Sequence, residues 1–115
     1  MVKGRLVFAC DGGIMSDLGL ESWQLRCGEV VPDCILDLRT EAQYLRAHLI
    51  GAVSMPYNVF QAKSVEFTAG RSCIVLVDES GARAAEMAIW LRVRGRHARY
   101  LVAGMKGWAG PLERT

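Results

Sequence analysis

IVLVDESGARAAEMAIW, residues Ile74 to Trp90, decides the fold. A buried strand, part of a run Cys73–Asp78, ends at Val77-Asp78. A short polar turn, Glu79-Ser80-Gly81, follows, and a helix opens at Ala82. Strand, tight turn and helix N-terminus are the layout of an anion site, because backbone N–H groups point outward there and the helix dipole favours negative charge. The first side chains in this pocket are nevertheless acids, Asp78 and Glu79. The helix itself, Ala82–Arg94, is amphipathic: Ala84, Ala85, Ala88, Ile89 and Leu91 share one broad face, and Arg83, Glu86 and Arg94 lie on the other. Trp90 falls in the polar set and reads as a half-exposed ring packed under arginine stems. Gly95 stops the helix.

Working outward, Leu6–Cys10 reads as a first strand closed by the Asp11-Gly12-Gly13 turn. Ser16 or Asp17 is placed to cap a helix running to about Cys27, closed by Gly28. Cys34–Arg39 reads as the second strand. Thr40 then opens a short helix, Glu41–Arg46, with Gln43 completing a capping box. Ala52–Met55 is a third strand ended by Pro56, and Tyr57–Arg71 is the least regular region. Ala98–Val102 is a fifth strand, after which Gly104–Trp108 turns back. Strands alternating with helices predict an α/β domain whose mainly parallel sheet is covered on both faces. In such sheets ligands sit beyond the carboxyl ends of the strands, so the loops after Arg39 and Asp78 are candidate walls of one site.

The 115 residues suit one domain, 1–115, large enough for a core without disulfides or metal. Half of them are hydrophobic, which argues against disorder. A formal charge of +2 with scattered bases points to neither nucleic acid nor a membrane surface. The one basic cluster, Arg92, Arg94, Arg96 and His97, falls at a helix end where cations suit the dipole. The apolar run near the N-terminus is too short for a signal peptide or a membrane span, so the expected location is intracellular, in the cytoplasm. Cys10, Cys27, Cys34 and Cys73 form no C-x-x-C pair and are not spaced with the two histidines as zinc ligands. No metal or cofactor is expected. Cys34 and Cys73 each lie five residues before Arg39 and Asp78, which puts them at the amino end of the sheet on neighbouring strands. Cys10 ends its strand before a turn and is the candidate exposed thiol.

The chain resembles the rhodanese-like family in three ordered pieces. Ile35-Leu36-Asp37-Leu38-Arg39 looks like the family's hydrophobic-Asp-x-Arg strand, and Gln43-Tyr44 falls where the family has Glu-Tyr. Ala47-His48-Leu49-Ile50-Gly51-Ala52 is similar to its Gly-His-Ile-Pro-Gly-Ala, departing at Ala47 and Ile50, and Met55-Pro56 closes that segment. Leu101-Val102-Ala103-Gly104-Met105-Lys106-Gly107-Trp108 resembles Leu-x-Gly-Gly-x-x-x-Trp, with Ala103 departing from the first glycine. The resemblance implies five strands in the order 1-5-4-2-3. It implies structural roles for Asp37, Arg39, Tyr44, His48, Gly51, Ala52, Gly104 and Trp108, with His48 bracing the turn into the third strand. It also aligns Asp78-Glu79-Ser80-Gly81-Ala82-Arg83 with the family's six-residue active loop, so that Asp78 occupies the position of the nucleophilic cysteine.

Sulfur transfer needs a thiolate that attacks a sulfane sulfur and carries it as a persulfide. A carboxylate cannot do that. Ionised Asp78 is acceptor-only, and at the mouth of a helix it would occupy the N–H groups itself. Glu79 adds negative charge where an anionic donor would approach. The residues therefore predict a catalytically inactive member that acts as a binding or regulatory module, toward a protein partner or small ligand the sequence does not name. Two alternatives stand: a sulfurtransferase of thiosulfate:cyanide type using a non-standard cysteine such as Cys10, and a sensor of small anions or ligands. The non-catalytic halves of two-domain rhodaneses, and regulatory modules of MAP kinase phosphatases, resemble this loop in carrying Asp. The basic cluster that docks kinases has no counterpart in Tyr57–Lys63, which holds one lysine.

Overall fold

The computed structural model of the chain describes residues 17–114. The expected strand Leu6–Cys10, with Cys10, lies outside them. Among the described residues seven strands and four helices follow one another: β1 (Gly19–Leu20), α1 (Ser22–Arg26), β2 (Cys34–Asp37), α2 (Glu41–Arg46), β3 (His48–Leu49), β4 (Ala52–Ser54), α3 (Tyr57–Phe67), β5 (Ile74–Val77), α4 (Ala82–Val93), β6 (Ala98–Leu101) and β7 (Leu112–Glu113). A single 3₁₀ turn, Gly104–Gly107, follows β6.

Five strands form one sheet in the order β1-β6-β5-β2-β4, and every pairing in it is parallel. Counted along the chain without β3, this reads first-fifth-fourth-second-third, but its first member is Gly19–Leu20 and not the expected Leu6–Cys10. β3 belongs instead to a small antiparallel pair with β7, in which His48 lies opposite Glu113 and Leu49 opposite Leu112. The sequence gives no warning of that pair, because two-residue strands carry too few side chains to show a period.

Helices cover both faces, as the parallel sheet requires. β5 is wholly buried, and its side chains alternate between two cores. Ile74 and Leu76, with Leu36 of β2, pack under Phe60 of α3 and under Ala84, Met87, Ala88 and Leu91 of α4. Val75 and Val77 face the other way, with Leu20, Leu49, Ala52 and Leu101, toward Leu25 of α1, Tyr44 of α2 and Trp108. The buried stripe of α4 is therefore 84/87/88/91, a tighter i, i+3, i+4, i+7 row than the alanine-rich face read from sequence. Trp90 is half-buried against the first core, with the Arg94 guanidinium 3.7 Å above its ring and Phe60 at its edge.

Two expectations are corrected. The helix expected from Ser16 or Asp17 to Cys27 is strand β1 followed by the five-residue α1, capped by Glu21 with Gln24. Asp17 sits in a turn at φ 50° and Leu18-Gly19-Leu20 runs extended, since Tyr100 and Val102 N–H groups of the neighbouring β6 edge donate to Leu18 and Leu20 carbonyls. Sheet pairing outweighed local propensity. The irregular region Tyr57–Arg71 is largely the eleven-residue α3. Its apolar signal is weak because its buried row, Phe60, Ser64 and then Thr68, is two-thirds polar. Thr68 hides its hydroxyl by donating back to the Ser64 carbonyl at 2.7 Å.

Candidate functional site

The sheet is parallel, so the carboxyl ends of β2, β4 and β5 open on one side. There they border a bowl of about 710 Å³ with Leu38, Pro56 and Tyr57 in its floor. Arg39, Asp78, Glu79 and Arg83 stand around it. The two loops singled out from sequence do form walls of one cavity.

Asp78 is the buried end of the β5 loop. Its Oδ1 accepts from the Gly81 N–H. Its Oδ2 accepts from the N–H groups of Arg83 at 2.9 Å and Ala84 at 3.3 Å. The first turn of α4 thus has its outward N–H groups filled by a carboxylate from its own chain, which also meets the positive end of the helix dipole. Gly81 makes this possible: the chain turns at φ 102°, and a Cβ there would lie 3.2 Å from the Ala103 nitrogen. The far side of the loop is clamped by the 3₁₀ turn. Met105 and Lys106 N–H groups donate to the Asp78 and Glu79 carbonyls at 2.9 and 3.0 Å. Gly104 is obligatory at that clamp, because any Cβ would collide with the Asp78 and Glu79 backbone. Ala103 before it adopts φ 66° without being glycine.

Glu79 and Ser80 are exposed on the loop, and Ala82 faces out at the start of α4. Glu79 reaches Arg39 only loosely, at 3.9 Å. Arg39 is otherwise committed: Nε and Nη2 engage Asp37 at 3.1 and 2.9 Å, and Nη2 also donates to the Ala47 carbonyl at 2.7 Å. Asp37 is fully buried under that fork. Arg83 lies 4.5 Å over the Tyr57 ring, whose hydroxyl donates to Glu86 at 2.9 Å. That hydrogen bond, with burial and the Glu86 charge, holds the Tyr57 phenol above its ordinary value. Sequence reading missed the Tyr57–Glu86 pair. Its one signal was the position of Glu86 a turn beyond Arg83 on α4.

The remaining motif residues gather on the other face of the sheet, behind α2. His48 is buried, its Nδ1–H donating to the Tyr44 carbonyl at 2.7 Å and its ring stacked on Tyr44 at 3.8 Å. Tyr44 donates its hydroxyl to the Ala52 carbonyl at 2.6 Å. Gly51 turns at φ 84°, its N–H donating to Glu113 at 3.2 Å, and Glu113 also lies 3.4 Å from His48 Nε2. Trp108 donates its indole N–H to the Pro111 carbonyl. These residues brace the corner between α2, β4 and β7 and border no part of the bowl.

No described cysteine lies in the bowl. Cys34 and Cys73 stand at the amino ends of β2 and β5, where burial pushes both thiols above their ordinary value. Cys27 is exposed at the end of α1. Among the described residues no cluster of His, Cys, Asp and Glu gathers as a metal site, and no helix is long and apolar enough to cross a membrane.

The family model for the rhodanese-like domain matches residues 20–111. Among solved structures, a rhodanese-like domain protein from Staphylococcus aureus superposes with a TM-score of 0.73 at 22% identity, over 84% of this chain and 97% of its own. A rhodanese-related protein from Thermoplasma volcanium gives 0.74 at 14% identity, over 83% and 96%. A NAD-dependent persulfide reductase from A. fulgidus gives 0.63 at 24% identity, with 84% of this chain covering 16% of that much longer one. No curated protein matches the sequence. Sheet order, the loop clamped by Gly104 and the matched span of 92 residues, 20 through 111, agree, and the chain belongs to the rhodanese-like domain family.

Proposed function

We propose that this domain is a rhodanese-homology module without sulfurtransferase activity, which works by binding. One observation carries the reading: the Asp78 carboxylate accepts the Gly81, Arg83 and Ala84 N–H groups. In a sulfurtransferase these donors would stabilise an incoming sulfur anion beside a thiolate. Here an acceptor-only group takes them, and it has no electron pair on sulfur to attack with. Glu79 at the rim repels a thiosulfate-like donor. The same occupancy argues against a small-anion sensor at this position. It leaves the bowl's floor and rim as contact surface.

The test is a thiosulfate:cyanide assay on the whole chain, with intact mass after incubation with thiosulfate. No turnover and no adduct are expected. A gain of about 32 daltons, one sulfur atom held as a persulfide, would overturn the reading. It would favour the alternative enzyme, and a Cys10→Ser variant would then show whether Cys10 carries the sulfur. Asp78→Cys is expected to give weak activity at best, because Glu79 stays. Robust turnover by that single variant would refute the charge argument.

A further inference from the structure

A second cavity lies at the opposite rim of the sheet, beside the amino end of β2, and no motif residue of the bowl takes part in it. It encloses about 400 Å³, the lower range of volumes that hold small ligands. Its walls are mainly apolar, with Leu25, Ile35, Leu49 and Trp108, and Pro111 on one side. Ile50 stands at the rim with 54% of its surface exposed, a large aliphatic side chain that the described fold leaves uncovered.

The polar groups at this cavity differ in what they have left to offer. Asp33 is spent: its carboxylate accepts from the Ser72 N–H and hydroxyl and from the Cys73 N–H, at 3.1 to 3.2 Å. Those hydrogen bonds, led by the one from Ser72, hold it below the usual carboxylate value. Cys34 is a buried thiol, neutral and apolar in effect. Arg26 is the exception. It is exposed at the end of α1, and among the described residues no acid pairs with it. Its stem is fixed beside Gly110, where an added Cβ would come within 3.0 Å of the Arg26 Cδ and 2.6 Å of the Trp108 ring. Gly110 therefore makes room for the guanidinium at the mouth of an apolar cleft.

We propose that this cleft binds a small apolar carboxylate, its hydrocarbon body against Leu25, Ile35, Leu49 and Trp108 and its charge on Arg26. The pairing follows from complementarity: an apolar wall excludes strongly hydrated ions, and Arg26, which no acid pairs among the described residues, favours a single negative head, while the Asp33 charge is held by Ser72, Cys73 and the nearby Arg71. The site is independent of the bowl, so its failure leaves the reading of Asp78 untouched.

The test uses octanoate, with 1-octanol and octylamine as neutral and cationic counterparts, titrated into the whole ¹⁵N-labelled chain below their aggregation limits. Octanoate is expected to shift the Trp108 indole N–H and the amides of Leu25 and Ile35 saturably. Octanol should bind about fivefold more weakly, the scale of one exposed charge contact, and octylamine more weakly still. Arg26→Ala should erase the advantage of octanoate over octanol, and Arg26→Lys should keep part of it. Ile50→Glu, at an exposed position, should weaken octanoate and improve octylamine. Absence of a saturable shift, equal affinity for octanoate and octanol in the unaltered chain, or shifts confined to Asp78–Arg83 would overturn the proposal. So would the same shifts on raising protein concentration alone, which would make a second copy of the chain the occupant.

Discussion

The two rims of the sheet solve opposite problems. At the carboxyl rim the polar groups are numerous and used up: Asp78 holds three backbone N–H groups, and Arg39 is forked onto Asp37. At the amino rim polar groups are few, the walls are apolar, and Arg26 has no acid beside it among the described residues. A site rich in charge is thus not the more available one. Buried charges must be satisfied for the chain to fold, and the groups that satisfy them are lost to a ligand.

The contrast is broken most severely by removing a partner at the carboxyl rim. Asp37→Ala leaves Arg39 buried without its counter-ion and should cost about 3–5 kcal/mol, read from urea unfolding. Replacing the pair together, Asp37→Leu with Arg39→Met, should recover much of that loss. A double variant no better than the single one would mean that the Ala47 contact of Arg39 matters more than the ion pair.

Asp78→Ala should cost about 2–3 kcal/mol, since it strips an internal cap from α4 and leaves buried N–H groups unsatisfied. Asp78→Asn should cost less, keeping one acceptor oxygen. If Asp78→Ala proved neutral in urea unfolding, the carboxylate would not be part of the scaffold, and the filled N–H groups would carry no argument about function.

A smaller change sharpens the comparison from the clamp under the loop. Ala103 holds φ 66° on an exposed turn, where a Cβ is disfavoured. Ala103→Gly should raise stability by about 0.5–1 kcal/mol, relief of left-handed strain exceeding the entropy that glycine adds to the unfolded chain. A fall in stability would place the benefit of Ala103 in its contact with the Gly107 turn.

The smallest effect belongs to the amino rim. Asp33 has its carboxyl held below the usual value by the hydrogen bonds from Ser72 and Cys73. A depressed folded-state value means that the stabilisation is fully present above the unfolded carboxylate value and is lost as pH falls through the folded one. Asp33→Asn should therefore flatten the acid limb of the stability–pH curve, its small cost showing at neutral pH and vanishing as pH falls. An unaltered acid limb would show that Asp33 is satisfied equally in the unfolded chain.

Much of this protein is legible along the chain because it is written in local terms. The capping box of Thr40 and Gln43 sets the start of α2 at Glu41. Gly81 and Gly95 bound α4 at the places where only a positive φ continues the chain. The short apolar run at Ile74 is long enough for a buried strand and too short for a helix. Family likeness then supplied the strand order, which no local signal contains. What the chain did not reveal depends on partners distant in sequence. Gly19–Leu20 is a strand only because β6 is beside it, eighty residues away, and the polar row of α3 is covered by Arg96, which donates to the Val65 carbonyl and the Thr68 hydroxyl from about thirty residues on. The β3–β7 pair and the Glu113 contact to His48 join segments more than sixty residues apart. The residue type at position 78 determined that no thiol could act from there. The strand–turn–helix run also put its carboxylate at the N–H groups of α4, within six residues of chain, whereas tertiary structure alone decided that Arg26 would stand at an apolar cleft, because α1, β2 and the Trp108 segment meet there only in space.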